Sequence, residues 1–355
     1  MKTKFANLLC GLLVGAAALT CQTALAQTVH RLTLATGQPP VYPYISLLRD
    51  YFVPEVDRRL AATGNRIEWT QGYAGSIMKI GSEVDTIRNG VVDVGFVLMP
   101  NNESKLPFHS YTYFVPFTSN DAVASVKAFN KVMQTVPLIN ETWQRSNHHH
   151  LATAAVDSYN LYAKRSITRI EDLRGMKIGV IGPNGHWLRN TGAVGVTLNL
   201  AAIYNDLQSG IYDAVLLPDS VAFSLKVHEV APFRMKYDFG PVVFGALTVN
   251  KSRWDALPPE VRTTLTEVAR SYEQNVTLQM REKGRDGLLA MQKAGLKLVD
   301  PGEEGRKRWA DLMPNIAQEW STAQAARNPG ATAIVPGYLK ALQEEGMKPA
   351  RKWID

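Results

Sequence analysis

The chain has 355 residues, with 39 Lys and Arg against 32 Asp and Glu and 45% hydrophobic side chains. Such a length is enough for two domains with separate cores. The basic excess is spread along the chain without a cluster of five basic residues, which argues against nucleic-acid binding and favours a solvated surface.

The first 26 residues have the pattern of a secretory signal peptide. Lys2 and Lys4 precede an apolar run over 8–19, and Ala24-Leu25-Ala26 forms an A-x-A cleavage site. No later apolar run approaches the roughly 20 residues that a spanning helix needs. We therefore expect cleavage after Ala26 and a periplasmic mature protein.

Both cysteines, Cys10 and Cys21, lie in this predicted signal. The mature chain would then have no disulfide, no Cys-ligated metal and no Cys nucleophile. Thr20 stands before Cys21 where a lipoprotein signal has a small residue, so lipidation is the less favoured alternative.

The elements predicted from the pattern alternate between strands and helices. The first half has strands at 31–36, 67–71, 91–98 and 147–156, and helices at 45–62, 77–89 and 122–134. The second half has strands at 160–163, 177–181, 195–198, 212–217 and 240–250, and helices after 182–185, over 200–208, over 258–296 and from 298 onward. This alternation predicts parallel sheets, whose ligands bind at the carboxyl ends of the strands.

Segments 87–94 and 207–214 share one pattern. In each, a helix ends on a Gly that can adopt the left-handed conformation, and an Asp precedes an apolar strand. The repetition indicates either two equivalent αβ units or a coincidence between two ordinary loops.

The segments SITRIEDLRGMKIGV at 166–180, GAVGV at 192–196 and AAIYNDLQSGIYDAVL at 201–216 occur in an order and spacing that resembles one family. They are similar to the D-L-K-G-x-K-I-R-V, G-A-x-P-V and Y-x-A-L-Q-x-G-x-V-D-G motifs of the DctP-type solute receptors of TRAP transporters. The resemblance covers residues 30 to about 320.

The resemblance implies an α/β fold of the type II periplasmic-binding-protein kind, with two α/β lobes joined by crossing strands and a long helix. Residues 27–153 and 242–282 would form lobe I, 154–241 and 283–340 lobe II, and 341–355 a C-terminal tail. It also implies a small organic solute as ligand, the membrane permease subunits of a TRAP transporter as partners, and no cofactor.

Three positions at which the family binds a carboxylate have lost their polar group. The Arg of the K-I-R-V motif corresponds to Gly179, a second Arg to Leu161 or Tyr162, and an Asn to Leu217. An unpaired buried carboxylate would cost several kcal/mol. We therefore predict a ligand that is not a plain C4-dicarboxylate, or one that is held differently.

The segment after Val180 offers a replacement. Gly182-Pro183-Asn184-Gly185 is predicted to open a helix, whose N-terminus would suit an anion, and Arg189 would reach into the cleft, unless it is a solvated helix residue. Aromatic residues at strand ends favour an aromatic or partly apolar acid. The candidate ligand-binding residues, chosen because they lie at or just past predicted strand ends or in this segment, are Tyr42, Tyr44, Gln71, Tyr73, Met99, Asn101, Asp157, Tyr159, Asn160, His186, Trp187, Arg189, Leu217, Asp219 and Phe244.

Catalytic and metal sites have little support in the sequence. The run His148-His149-His150 puts only two rings on one side of a strand, and no H-E-x-x-H, P-loop or G-x-S-x-G motif is present. We predict a receptor that binds a small organic acid and delivers it to a permease. The alternative is a secreted enzyme, or a binding protein that serves a sensor, on the same two-lobed scaffold.

Overall fold

The computed structural model describes residues 27–354, so the predicted signal peptide lies outside the described residues. Eleven strands in this range form two β-sheets. The strands are β1 (Thr28–Ala35), β2 (Asn65–Gly72), β3 (Val94–Leu98), β4 (His148–Ala155), β5 (Tyr159–Ala163), β6 (Lys177–Val180), β7 (Val194–Thr197), β8 (Ala214–Pro218), β9 (Phe233–Gly240), β10 (Val243–Asn250) and β11 (Lys297–Val299).

Helices cover the sheets. They are α1 (Pro43–Leu47), α2 (Val53–Leu60), α3 (Glu83–Arg88), α4 (Ala122–Thr135), α5 (Pro137–Arg145), α6 (Ile203–Ser209), α7 (Asp219–Ser224), α8 (Lys251–Ala256), α9 (Pro259–Lys293), α10 (Gly302–Leu312), α11 (Ile316–Ala325) and α12 (Ile334–Glu344). A π-helical turn, Leu48–Phe52, joins α1 to α2. In the described part of the chain no helix combines the length and the apolar composition needed to cross a membrane.

In each sheet, the strands that run parallel to one another have their carboxyl ends at the same edge. The first has the order β2-β1-β3-β10-β4, with β1 parallel to β2 and β3 and with β10 antiparallel to both neighbours. The second has the order β11-β9-β5-β8-β6-β7, with β6 parallel to β7 and β8 and with β5 antiparallel to β8 and β9. The carboxyl ends of β6 and β8 therefore lie at the same edge as the start of β5.

The chain crosses between the two sheets three times. Residues 156–158 join β4 to β5, residues 241–242 join β9 to β10, and the 35-residue helix α9 packs against β4 and α7. A helix of this length extends about 52 Å, enough to pack against both lobes. The predicted two-lobed α/β fold, with crossing strands and a long helix, is confirmed.

The lobe boundaries stay a proposal, and the C-terminal helices bear on where to draw them. Helix α10 contacts β9 of the second sheet, whereas α12 packs against α4 on the first lobe. The Trp353 Nε1–H donates to the Pro116 carbonyl at 2.9 Å. These contacts favour assigning the chain from α12 onward to the first lobe, rather than residues up to 340 to the second.

Several predicted elements differ from the structure. Strand β9 was missed because its alternating charges (Arg234, Lys236 and Asp238) hide its buried positions. The expected helix over 77–89 is formed only from Glu83, since Gly81 before it has a φ of 84°. The segment from 298 onward begins as β11 and not as a helix.

Candidate functional site

The two lobes meet where the facing edges of their sheets carry loops. The 3₁₀ helix Gly182–Leu188 of the second lobe packs against the 3₁₀ helices Met99–Asn102 and Tyr111–Phe114 of the first. A Cβ added to Gly182 would lie 3.4 Å from the Pro100 Cβ. The structure therefore shows the lobes in contact.

Aromatic side chains from both lobes line this junction. We call the following eight residues the interlobe aromatic cluster: Tyr42, Tyr44, Phe96, Tyr113 and Phe244 from the first lobe, and Tyr159, Trp187 and Phe239 from the second. Tyr44 stacks on Phe96 at 5.2 Å and meets Phe244 edge-on at 4.9 Å. None of the eight carries a charge, so the cluster offers flat apolar faces and hydroxyl groups.

Trp187 is a structural centre of the cluster. Its side chain is 0% exposed, stacks on Phe239 at 5.2 Å and meets Tyr159 edge-on at 5.4 Å. Its Nε1–H donates to the Tyr113 carbonyl across the lobes at 2.6 Å. All of its polar capacity is used by the protein, so Trp187 holds the lobes together and does not offer a free donor.

Neutral polar groups lie among and beside these rings. The Tyr113 hydroxyl donates toward Tyr159, and burial raises the pKa of both tyrosines. The Gln38 side chain lies against the Tyr44 hydroxyl, and its buried Oε1 receives no hydrogen bond from residues 27–354. In the segment that carries Trp187, the Asn184 Oδ1 accepts from the Ile181 N–H at 2.8 Å, and its buried Nδ2 has no acceptor among the described residues.

A buried ion pair lies at the carboxyl end of β8. The Arg234 guanidinium donates to both oxygens of Asp219, at 2.8 and 2.7 Å, and the Tyr162 hydroxyl donates to the same carboxylate. Asp219 had been predicted as a ligand contact, but its charge is already neutralised by Arg234. The bidentate geometry makes this a strong internal contact.

Asp157 lies in the crossing segment between β4 and β5. Its carboxylate accepts from the N–H of Ser220 at 3.1 Å and from the hydroxyl of the same residue, so it caps the first turn of α7. Burial, together with the Asp219 charge, raises the pKa of Asp157 to about 7. Asp157 therefore connects an interlobe crossing to a helix of the second lobe.

The other predicted site residues lie in various environments. Gln71 accepts from the Tyr73 hydroxyl at the edge strand β2, and this pair lies outside the cluster. Asn101 is exposed and Met99 is buried. The Asn160 Oδ1 accepts from the Asp238 N–H at 2.9 Å.

Three of the predictions for the second lobe differ from the structure. The segment after Val180 forms a seven-residue 3₁₀ helix that ends at Leu188, so it has no α-helical N-terminus for an anion. Arg189 pairs with Glu319 of α11 on the surface and does not reach the cluster. Leu217 faces the second hydrophobic core beside Tyr162 and Val215, which removes it from the ligand side.

The sequence did not single out Gln38, Phe96, Tyr113, Asn184 or Phe239. Gln38 lies in the Pro-rich loop after β1, a strand end, so the rule used for the other candidates applies to it as well. Tyr113 follows no strand and reaches the cluster through the 3₁₀ helix 111–114, which the local pattern does not predict.

The three consecutive histidines lie at the start of β4, in the first lobe. His148 uses both ring nitrogens, one with the Thr248 hydroxyl and the other with the Val84 carbonyl. Burial lowers the pKa of His148 to about 4 and that of His150 to about 3. Within residues 27–354 no group of three or more His, Cys, Asp or Glu side chains is arranged to hold a metal ion.

Solved structures share this architecture. A TRAP periplasmic solute-binding protein from Desulfovibrio salexigens superposes with a TM-score of 0.77 at 17% identity, covering 88% of this chain and 96% of that one. A TRAP solute-binding protein from Rhodoferax ferrireducens, in complex with copurified benzoate, gives 0.76 at 20% identity, covering 89% and 98%. At these identities the likeness establishes the fold.

Sequence comparison identifies the family. A curated solute-binding protein from Albidiferax ferrireducens is 28% identical over 174 residues, which cover 48% of this chain, and the matched part spans about half of that relative's length (51%). Residues 61–323 match the profile of the bacterial extracellular solute-binding proteins, family 7, named DctP. The resemblance seen in the motifs is thus confirmed, and the chain belongs to the DctP family of solute-binding proteins.

Proposed function

We propose that the protein is an extracytoplasmic receptor that binds a small organic acid between its lobes and delivers it to a TRAP-type membrane permease. The observation that carries the proposal is the interlobe aromatic cluster, to which strands and loops of both lobes contribute side chains in a DctP-family chain. Two lobes joined by crossing segments can close on a solute by a hinge motion. The signal-peptide pattern of residues 1–26 supports a periplasmic location.

The chemistry of the cluster favours a flat monocarboxylic acid over a C4-dicarboxylate. Position 179 has no guanidinium, and the buried Arg234 is neutralised by Asp219. A second buried carboxylate without a cation would be costly. One carboxylate can accept hydrogen bonds from tyrosine hydroxyls and from an amide such as Asn184 Nδ2, while an aromatic body packs on the rings.

Isothermal titration against benzoate, pyroglutamate, D-glucuronate and succinate tests this proposal, with mass spectrometry of the recovered ligand. We expect saturable one-to-one binding of benzoate that is at least tenfold tighter than that of succinate, and recovery of the ligand unchanged. Chemical conversion of the ligand would instead support an enzyme. Tighter binding of succinate would contradict the ligand class.

A matched pair of variants locates the binding. Tyr159→Phe removes a hydroxyl inside the cluster. Tyr111→Phe, elsewhere in the first lobe, removes a buried hydroxyl that makes no hydrogen bond within the described part of the chain. We expect weaker benzoate binding only for Tyr159→Phe. An equal loss in both variants would mean that the effect is structural and that the cluster is not the binding site.

A further inference from the structure

A cavity of about 320 Å³ lies beside the junction of the two lobes, apart from the interlobe aromatic cluster. We call it the seam pocket, and it is lined by Glu103, Ser104, Pro107, Phe114, Trp320, Gln324 and Arg327. Its volume falls in the range of small-molecule sites. None of its lining residues belongs to the interlobe aromatic cluster.

The walls of the seam pocket are aromatic. Phe114 and Trp320 lie with ring centroids 5.8 Å apart, and His186 of the second lobe packs on Phe114 at 5.3 Å. Because α11 and the 3₁₀ helix 111–114 supply these rings, the walls are held by the fold. Aromatic faces attract organic cations through their negative ring faces.

The pocket is lined by two side chains of opposite charge, Glu103 and Arg327. Burial raises the pKa of Glu103, while the Ser110 hydroxyl and the nearby charge of Arg327 act to lower it. In the described structure, no Arg327 guanidinium nitrogen lies within 4.0 Å of a Glu103 carboxylate oxygen. An acidic group and a basic group therefore line the same cavity without a direct contact.

The pocket also has an unused acceptor. The Gln324 Oε1 is buried and receives no hydrogen bond from the described residues. An unpaired buried acceptor is unfavourable, and a ligand N–H donor would satisfy it. The carboxylate of Glu103 and this amide oxygen are both suited to an ammonium group.

We propose that the seam pocket binds a small zwitterion that carries a primary ammonium and a carboxylate. The ammonium lies against the Phe114 and Trp320 rings and is neutralised by Glu103, while Gln324 Oε1 accepts one of its hydrogens. The carboxylate pairs with Arg327, whose planar guanidinium suits it. A ligand with only one of these charges would leave the opposite protein charge unneutralised.

Titration with three probes of equal chain length tests this assignment: 4-aminobutyrate, butyrate and n-butylammonium. Calorimetry gives the affinity, and the Trp320 indole N–H resonance reports the location. We expect 4-aminobutyrate to bind at least tenfold more tightly than either singly charged probe and to shift that resonance. Equal affinities, or no shift at saturation, would overturn the proposal.

Charge-removing variants provide the second arm. Glu103→Gln and Arg327→Gln should each weaken 4-aminobutyrate binding at least tenfold with unchanged thermal unfolding. Glu141→Gln and Arg145→Gln, at an exposed pair on α5, are the matched controls and should bind as the unmodified protein does. Unchanged binding in the two pocket variants would refute the site.

Discussion

Gly179 occupies the position at which the K-I-R-V motif has its arginine. A Cβ added there would lie 2.4 Å from Leu198 Cδ1 and 2.9 Å from Val215 Cγ1. The space in which an arginine stem would begin is thus occupied by the second hydrophobic core. Neighbouring side chains fill this space, so a single Gly179→Arg substitution would not rebuild the family's carboxylate contact.

A smaller substitution tests this packing. We expect Gly179→Ala to lower the free energy of unfolding by about 1–3 kcal/mol, because an added methyl group overpacks the core. Gly64→Ala is the control, since nothing lies within 4 Å of a Cβ at that position. Urea denaturation measures both, and equal stability of the two variants would mean that position 179 has room.

Trp187 has a structural role that the sequence alone leaves open. Trp187→Ala would remove a fully buried indole and its interlobe hydrogen bond. We expect a loss of about 3–5 kcal/mol in the free energy of unfolding, with a smaller loss for Trp187→Phe. A Trp187→Ala protein of normal stability that no longer binds ligand would instead make Trp187 a ligand contact.

At the scale of elements, the two lobes use the same αβ unit. The carboxylate of Asp93, just before β3, accepts from the Thr33 N–H of β1. The Asp93 backbone N–H donates to the Thr33 carbonyl. Asp213 before β8 makes the same two bonds with Lys177 of β6. Gly90 and Gly210 before them have φ values of 73° and 85°. The repeated pattern therefore reflects structural equivalence.

Removing either carboxylate should have the same effect. Asp93→Ala and Asp213→Ala each leave a strand N–H without its acceptor, and we expect each to cost about 1–3 kcal/mol of stability. Asp286→Ala, at an exposed pair on α9, should be near neutral. Thermal unfolding followed with a probe in each lobe measures both losses. Unchanged stability in either variant would mean that the two aspartates do not contribute equally to their lobes.

Elements with a regular apolar period were predictable, and those shaped by distant contacts were not. The period of α9 and the apolar runs of β3 and β8 are visible in the chain itself. Segment 182–188 has the Pro and Gly residues typical of a helix start, yet the chain leaves the helical conformation at Arg189. Trp187 packs there between two lobes, a contact that no local pattern contains.

The same limit applies to the candidate site. Position at or just past a predicted strand end identified Tyr42, Tyr44, Tyr159 and Phe244, which the structure brings together. It also selected Asp219, whose partner Arg234 lies on the strand that was not predicted. Without β9 in the predicted sheet, the sequence could not show that this carboxylate was neutralised.

At the scale of the whole molecule, two of the interlobe crossings meet at Asp157. A Cβ added to Gly284 of α9 would lie 2.4 Å from the Asp157 Oδ2, so a larger residue there would displace this carboxylate from its present position. The same carboxylate caps α7 through Ser220. A change in the charge of Asp157 would therefore act where the two lobes are joined.

This contact predicts a pH dependence of stability. The pKa of Asp157 is raised from 3.8 to about 7, so between these pH values the folded state holds a proton that the unfolded state has lost. The contribution of Asp157 to the free energy of unfolding is fully present below pH 3.8 and is lost as the pH rises to about 7. Buried His148 and His150, with lowered pKa values, act in the opposite direction below pH 6.5.

The contribution of Asp157 to this pH dependence is therefore measured as a difference in free energy of unfolding between a variant and the unmodified protein. Asp157→Asn keeps an oxygen that can accept from Ser220 but does not titrate. Relative to the unmodified protein, we expect it to gain up to a few kcal/mol in free energy of unfolding between pH 4 and pH 8. Urea denaturation at four pH values measures this difference, and the exposed Asp286→Asn is the control. If the difference stays constant with pH, Asp157 is ionised throughout and the junction between the lobes holds a buried charge.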